Sequence, residues 1–238
     1  LALDLTHSDA GTARAADGKS SAAADSGSAD TALYPAHLPR PSDLTPRPGR
    51  SADTAGQALT PDGRTLVASL RVAEQRSGRY VLVAIDVATG ERTTIADEQG
   101  VHLESPVVSP DGSTIAFVRS RFHTPEAPAD QEIWVADLDG GNARRIASSW
   151  DRWPSSLVFD RDGGSLIATA DDDGRGPIFR IPLDGSDPEK LTSDAATYTH
   201  VAVDPASGDL VALRSSWAVP PHPVRVRRDG TVTELATP

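Results

Sequence analysis

The sequence predicts an all-β fold, a β-propeller of four-stranded blades, with about four complete blades that form part of a larger propeller. Three observations carry that reading. Residues 107 to 120, VVSPDGSTIAFVRS, make a self-contained two-strand unit: Val107, Val108, Ile115, Phe117 and Val118 suit a pleated surface, and Pro110, Asp111 and Gly112 supply the turn. Proline presets φ early in a turn, Asp bonds its own backbone, and Gly accepts the positive φ that strains other residues. Related units start at Leu59, Phe159 and Val203. After each unit comes a second alternating pair, starting at Tyr80, Glu132, Pro177 and Pro223, with its own turn at Gly90, Gly140, Gly185 or Gly230. Four strands in a repeat of about 45 residues, with no amphipathic helix pattern in competition, is what a propeller blade requires.

Taken in order, residues 1 to 41 are dominated by Ala, Ser, Gly and Asp and contain neither Val nor Ile. Such a low-complexity stretch cannot bury enough apolar surface to offset roughly 1–2 kcal/mol of backbone entropy per ordered residue, so disorder is expected. Pro35, Pro39 and Pro41 argue against a regular element at its end. Residues 42 to 49, SDLTPRPG, read as one short strand closed by prolines. Residues 42 to 46 match the outermost strand of later blades, as at Lys190, Leu191 and Thr192. Nothing before them could supply three inner strands, so upstream blades are expected to be missing. Within the propeller region, 42 to 238, the blades run approximately over 55–97, 102–148, 153–193 and 198–236. An open set leaves unpaired edges that favour association, which makes an oligomer a further expectation.

The charge balance narrows the partners. A net charge of -11, from 23 Lys and Arg against 34 Asp and Glu, argues against nucleic acid and anionic membrane, since both are bound through cations that neutralise phosphates. A hydrophobic content of 38%, below the ~45–50% of ordinary globular domains, fits a chain that is packed only in part. Zero Cys removes disulfides, thiolate metal sites and a cysteine nucleophile, and suits a reducing, cytoplasmic location. No apolar run reaches the length of a membrane span, and Leu1 does not open a signal-peptide layout. With no Met anywhere, the chain is expected to be a piece of a longer polypeptide.

Alternating strand directions sort the connections onto two faces. The Pro-Asp-Gly hairpins and the outer Gly turns share a short, tight face. The other carries residues 120 to 131, 171 to 176 and 215 to 222 together with the inter-blade crossings, and irregular loops on a rigid scaffold are where function concentrates. Trp150, Asp151, Arg152 and Trp153 in one crossing combine aromatic surface with a fork suited to a carboxylate, and Arg214 with Trp217 repeats the theme one blade later. Either cluster serves a docking interface or a peptide carboxylate; equally, Asp151 and Arg152 would form an internal brace with a Trp filling the gap. Asp171, Asp172 and Asp173 before Gly174 invite a calcium reading, but hard-cation loops alternate their carboxylates, and a solvated loop is preferred. His102, His123, His200 and His222 match no zinc spacing. Neither metal nor cofactor is expected.

The PDG hairpins, the ESPVVSPDG and WDRWP crossings, the FRIPLDG strand and above all ALRSSWAVPPHPVRV resemble the N-terminal propeller of prolyl oligopeptidase family serine peptidases, in particular actinobacterial acylaminoacyl peptidase and dipeptidyl aminopeptidase-like members. The resemblance spans roughly residues 42 to 238, although the hairpins alone are shared with Tol-system propellers. It implies a partner α/β-hydrolase domain in the same polypeptide, short peptide or acyl-peptide substrates, and a linker into that domain at residues 234 to 238. It also gives Glu104 a role, since propeller glutamates of some family aminopeptidases hold a substrate's amino terminus; the competing reading is an ion pair with Arg119 or Arg121. No Gly-x-Ser-x-Gly elbow occurs, so no catalytic residue is assigned. Two other classes stand beside the peptidase propeller: a free-standing Tol-type interaction module, and a lactonase-like or sugar-metabolising propeller that needs a channel metal.

Overall fold

The computed structural model describes residues 2–3, 41–44, 56–73 and 78–236. The chain divides into two compact units, Leu1–Pro46 and Arg47–Pro238. In the first, β1 (Ala2–Leu3) and β2 (Pro41–Ser42) pair antiparallel, Ala2 with Ser42 and Leu3 with Pro41. Of the strand expected over residues 42 to 49, Ser42 lies in β2 beside β1, and residues 45 to 49 lie outside the described residues. One expectation is corrected here: Pro41 does enter a regular element. Proline is tolerated because it opens a short edge strand, where a missing N–H costs little. Residues 45–55 and most of the stretch expected to be disordered lie outside the described residues.

In the second unit every described sheet is a 4-stranded antiparallel meander in chain order. The first sheet holds β3 (Gln57–Leu59), β4 (Thr65–Ala73), β5 (Gly78–Asp86) and β6 (Arg92–Ala96). The second holds β7 (Val101–Val108), β8 (Thr114–Arg121), β9 (Asp130–Asp137) and β10 (Arg144–Ile146). The third holds β11 (Pro154–Phe159), β12 (Ser165–Ala170), β13 (Ile178–Pro182) and β14 (Glu189–Lys190). The fourth holds β15 (Thr197–Val203), β16 (Leu210–Ser215), β17 (His222–Val226) and β18 (Val232–Glu234). No helix occurs among the described residues, and the first strands of consecutive sheets lie against one another, as blades of a β-propeller do.

The turn residues account for the hairpins. In the first two sheets Gly63 and Gly112, at φ 73° and 76°, donate to the carbonyls of Thr60 and Ser109. The Thr60 and Ser109 hydroxyls donate to Asp62 at 2.6 Å and to Asp111 at 2.5 Å, which in turn accept the N–H of Arg64 and Ser113. These tips also touch from blade to blade: a Cβ on Gly112 would lie 3.4 Å from Pro61 Cδ, and one on Gly163 would lie 3.6 Å from Pro110 Cδ.

Because a middle strand packs on both sides, its apolar run is nearly continuous. Ile115, Ala116, Phe117 and Val118 are all buried, but they divide between neighbours: Ile115 and Phe117 pack with Val67 and Leu82 of the first sheet, Ala116 and Val118 with Leu157, Phe159 and Phe179 of the third. A further cluster joins Ile167 and Ile178 to Tyr198, Leu210 and Val224. At roughly 1.5–3 kcal/mol for each large apolar side chain removed from water, these inter-sheet layers are the dominant favourable term. The innermost strands bend at bulges: the register shifts between Glu104 and Val107, Pro154 and Ser156, and Thr199 and Ala202. Ser105 and His200 there take φ 51° and 52°.

Candidate functional site: the loop-rich face

The face opposite the Pro-Asp-Gly hairpins is built from the crossings at residues 97 to 100, 147 to 153 and 191 to 196 and from the loops at 122 to 129, 171 to 177 and 216 to 221. Each of these crossings is clamped to a strand or to the neighbouring loop by an arginine and a carboxylate. Arg79 donates to Asp97 at 2.7 and 3.0 Å, Arg119 to Glu98 at 2.9 and 2.5 Å, Arg152 to Asp172 at 3.1 and 2.5 Å, and Arg214 to Asp194 at 2.8 and 2.6 Å. Sequence reasoning missed this series because the partners stand 18 to 21 residues apart, beyond any local pattern. Its trace is nevertheless there, an Arg and an acid about one hairpin apart in each repeat.

These clamps decide what two of the candidate residues can do. Arg152 does not brace Asp151, which is exposed; adjacent residues cannot readily face each other, and Asp172, in the loop two residues past the end of β12, takes the guanidinium instead. Asp172 also accepts from Lys190 at 2.6 Å, and these two cations hold its carboxyl below the usual range. The gap is filled by Trp150, edge-on to Phe179 at 5.2 Å, with the Arg152 guanidinium over that ring at 5.7 Å. Arg214 is similarly spent on Asp194, which accepts from Tyr198 as well. Burial, reinforced by that carboxylate, pushes the Tyr198 phenol up to about 12. Neither guanidinium is free for a substrate carboxylate.

The remaining candidates are open. Trp153 is 52% exposed, and Trp217 is fully exposed at the tip of a closed turn in which Ser216 N–H donates to Val219 O at 2.9 Å. Glu104 is half-buried beside the strained Ser105 and has no hydrogen bond or ion pair among the described residues. The expected pair with Arg119 or Arg121 does not form: in the β7–β8 register Arg119 lies opposite Leu103 and Arg121 opposite Val101, one and three residues from Glu104 and so on the other face, and they are taken by Glu98, Glu132 and Asp130. Next to it His102 sits between Tyr80 and Phe122 at 5.1 and 4.3 Å, its Nδ1 accepting the Tyr80 N–H at 3.2 Å. Burial lowers its pKa, opposed by Glu104. Three buried polar atoms have no hydrogen bond among the described residues, Ser120 Oγ, Trp150 Nε1 and His222 Nε2, the last of them 3.8 Å from the Glu234 carboxylate, and all lie at this end of the sheets. Among the described residues no three His, Asp or Glu side chains gather as metal ligands, and of the aspartates at 171 to 173 Asp172 is already paired with Arg152 and Lys190.

A family model described as the PD40 TolB beta propeller domain matches residues 53–219. The chain belongs to the TolB-type β-propeller family. Among curated proteins this propeller is 31% identical over 147 residues to a probable dipeptidyl-peptidase 5 of Arthroderma benhamiae, a match covering 59% of the chain and 20% of that relative. It thus spans only about a fifth of the curated relatives it matches. Among solved structures it is similar to a puromycin-hydrolyzing peptidase of Mycobacterium tuberculosis, with TM-score 0.61 and 22% identity over 80% of this chain and 32% of that one. It is also similar to TolB of Acinetobacter baumannii, with TM-score 0.58 and 22% identity over 76% and 42%. At such identities the structural likeness establishes the fold alone. The propeller is related to those of peptidases and to TolB-type propellers, as the motif series implied.

Proposed function

We propose that this propeller is the non-catalytic portion of a serine peptidase, whose loop-rich face docks an α/β-hydrolase domain and admits only short peptides or acyl-peptides. The observation that carries the reading is the imbalance between its faces. The turn face closes its own hydrogen bonds at the hairpin tips, whereas the loop-rich face carries two exposed tryptophans and Glu104, which has no hydrogen bond or ion pair among the described residues. Large aromatic side chains left open on a rigid face are the kind of anchor that a partner protein covers. On this reading Trp153 and Trp217 anchor the hydrolase, Arg152 and Arg214 stiffen the crossings beneath them, and Glu104 is the carboxylate available to a substrate's ammonium group. The dipeptidyl-peptidase relatives support the assignment.

The deciding experiment is to read the gene on both sides of this segment. A Gly-x-Ser-x-Gly elbow followed by Asp and His downstream is the expected result. A stop codon at the end of the propeller, with an export signal upstream, would overturn it in favour of a Tol-type module whose loop-rich face meets a protein partner, a reading favoured by the family model.

A further inference from the structure

We propose that Asp173 and Gly174 form a self-modification site, at which the chain isomerises its own Asp173 to isoaspartate. The Gly174 backbone nitrogen attacks Cγ of Asp173. A C–N bond forms, the carboxyl group loses one oxygen as water, and a succinimide ring results. Water then opens one ring carbonyl or the other, which either restores aspartate or leaves the backbone running through the side-chain carbon. One water leaves and one enters, so no oxidant or co-reactant is needed.

The chemistry requires an unhindered following residue, a free backbone amide and an unengaged carboxyl group. Asp-Gly pairs recur in this sequence, and the other described ones are closed. The carboxylates of Asp62, Asp111, Asp139, Asp184 and Asp229 each accept the N–H two residues on, at 2.8 to 3.0 Å. Asp162 is held by Arg228 at 3.3 Å. The amides of Gly63, Gly112, Gly140, Gly163 and Gly230 are committed to backbone carbonyls. Such bonds favour the ionised carboxylate, a poor electrophile: the Ser109 hydroxyl together with Ser113 draws Asp111 down to about 2.

Asp173 alone among the described pairs leaves both groups open: Gly185, whose amide also has no acceptor among the described residues, follows a carboxylate that Ser186 holds. The Asp173 carboxyl group has no hydrogen bond or ion pair among the described residues, and the Gly174 N–H has no acceptor there. Both residues are exposed, and a Cβ on Gly174 would meet nothing within 4 Å. The two form the tip of a two-residue hairpin in which Asp172 and Arg175 exchange backbone bonds at 2.9 and 3.2 Å. Asp173 takes φ 55° and Gly174 φ 73°, the pattern of a type I′ turn, which places a non-glycine residue in a region it disfavours. An extra backbone carbon at this tip would break the two-residue register and displace Asp172, the carboxylate that clamps Arg152 and Lys190. The modification would therefore act on the loop-rich face, whatever that face binds.

The test is to age the full chain near neutral pH in heavy-oxygen water and map its peptides. Isoaspartate with incorporated label should accumulate at residue 173 several-fold faster than at Asp62, Asp111, Asp139, Asp162, Asp184 or Asp229. In denaturant those positions should react at similar rates, which would show that the fold and not the local sequence selects the site. Asp173→Glu, which lengthens the side chain beyond five-membered ring closure, should abolish the product in that peptide. Equal rates at Asp173 and Asp111 in the folded chain would overturn the proposal. So would no product at residue 173 while the unfolded chain reacts, or persistence of the product in Asp173→Glu.

Discussion

An arginine in a polar loop invites a ligand, and Arg214 shows what this fold does with one instead. Its guanidinium is fixed by two bonds to Asp194, and the Tyr198 hydroxyl completes the carboxylate. Replacing Arg214 by Met should destabilise the propeller by about 1 kcal/mol, a charged hydrogen bond discounted for partial exposure, as measured by denaturant unfolding. Combining it with Asp194→Asn should cost less than the sum of the two changes. Additive effects would show that the clamp contributes nothing. His102 gives a residue-scale pH dependence. Burial disfavours its imidazolium in the folded state, whereas the unfolded chain takes up the proton nearer the ordinary value of 6.5, so the unfolded state binds more protons as pH falls through that region. The stability is present above it and is lost on acidification. Between about pH 7 and about pH 5 the melting temperature should fall further in the wild type than in His102→Gln, which keeps an acceptor for Tyr80 N–H. Candidate residue types were legible in the sequence, but their engagements were not. Arg152 and Arg214 carry the same local signal as a binding arginine, and only the fold brings each to an acid some 20 residues away.

At the scale of elements, the turn glycines divide into two kinds that look alike in the sequence. Gly90 and Gly140 both end an outer hairpin at positive φ, 71° and 91°. A Cβ on Gly90 meets nothing among the described residues, but one on Gly140 would sit 2.5 Å from the Ile95 carbonyl oxygen of the preceding blade. Gly90→Ala should therefore cost only the backbone term, about 1–2 kcal/mol. Gly140→Ala must also push two blades apart and should cost clearly more in the same unfolding assay; equal losses would mean that the contact is slack. Strands and hairpins were readable because alternation and Pro-Asp-Gly chemistry are local. The packing between blades was not, since Gly140 meets Ile95 only once adjacent sheets have found their register. The start of the chain shows the same limit: residues 42 to 46 carry the pattern of a blade's outer strand, and the pattern does not say that Ser42 would pair with Ala2.

For the whole propeller the question is which face works. On the proposed peptidase reading, and with no nucleophile elbow in these residues, the purified chain should not hydrolyse acyl or aminoacyl p-nitroanilides, and activity should appear only when a hydrolase domain from the same reading frame is supplied. Docking should then depend on the exposed aromatics. Trp217→Ala and Trp153→Ala should each weaken association with that domain by about 2 kcal/mol, the size of an aromatic hot spot, measured by titration calorimetry on variants whose circular dichroism matches the wild type. Arg64, exposed in a hairpin of the turn face, provides the control, and Arg64→Ala should leave binding unchanged. The tryptophans stand on crossings and loops held by the Arg152 and Arg214 clamps, so Arg214→Met should weaken docking less than Trp217→Ala, through looseness of the platform and not loss of contact. Should both tryptophan variants bind like the wild type while Arg64→Ala fails, the hydrolase sits on the Pro-Asp-Gly hairpins, and substrate reaches it through the propeller from the loop-rich side.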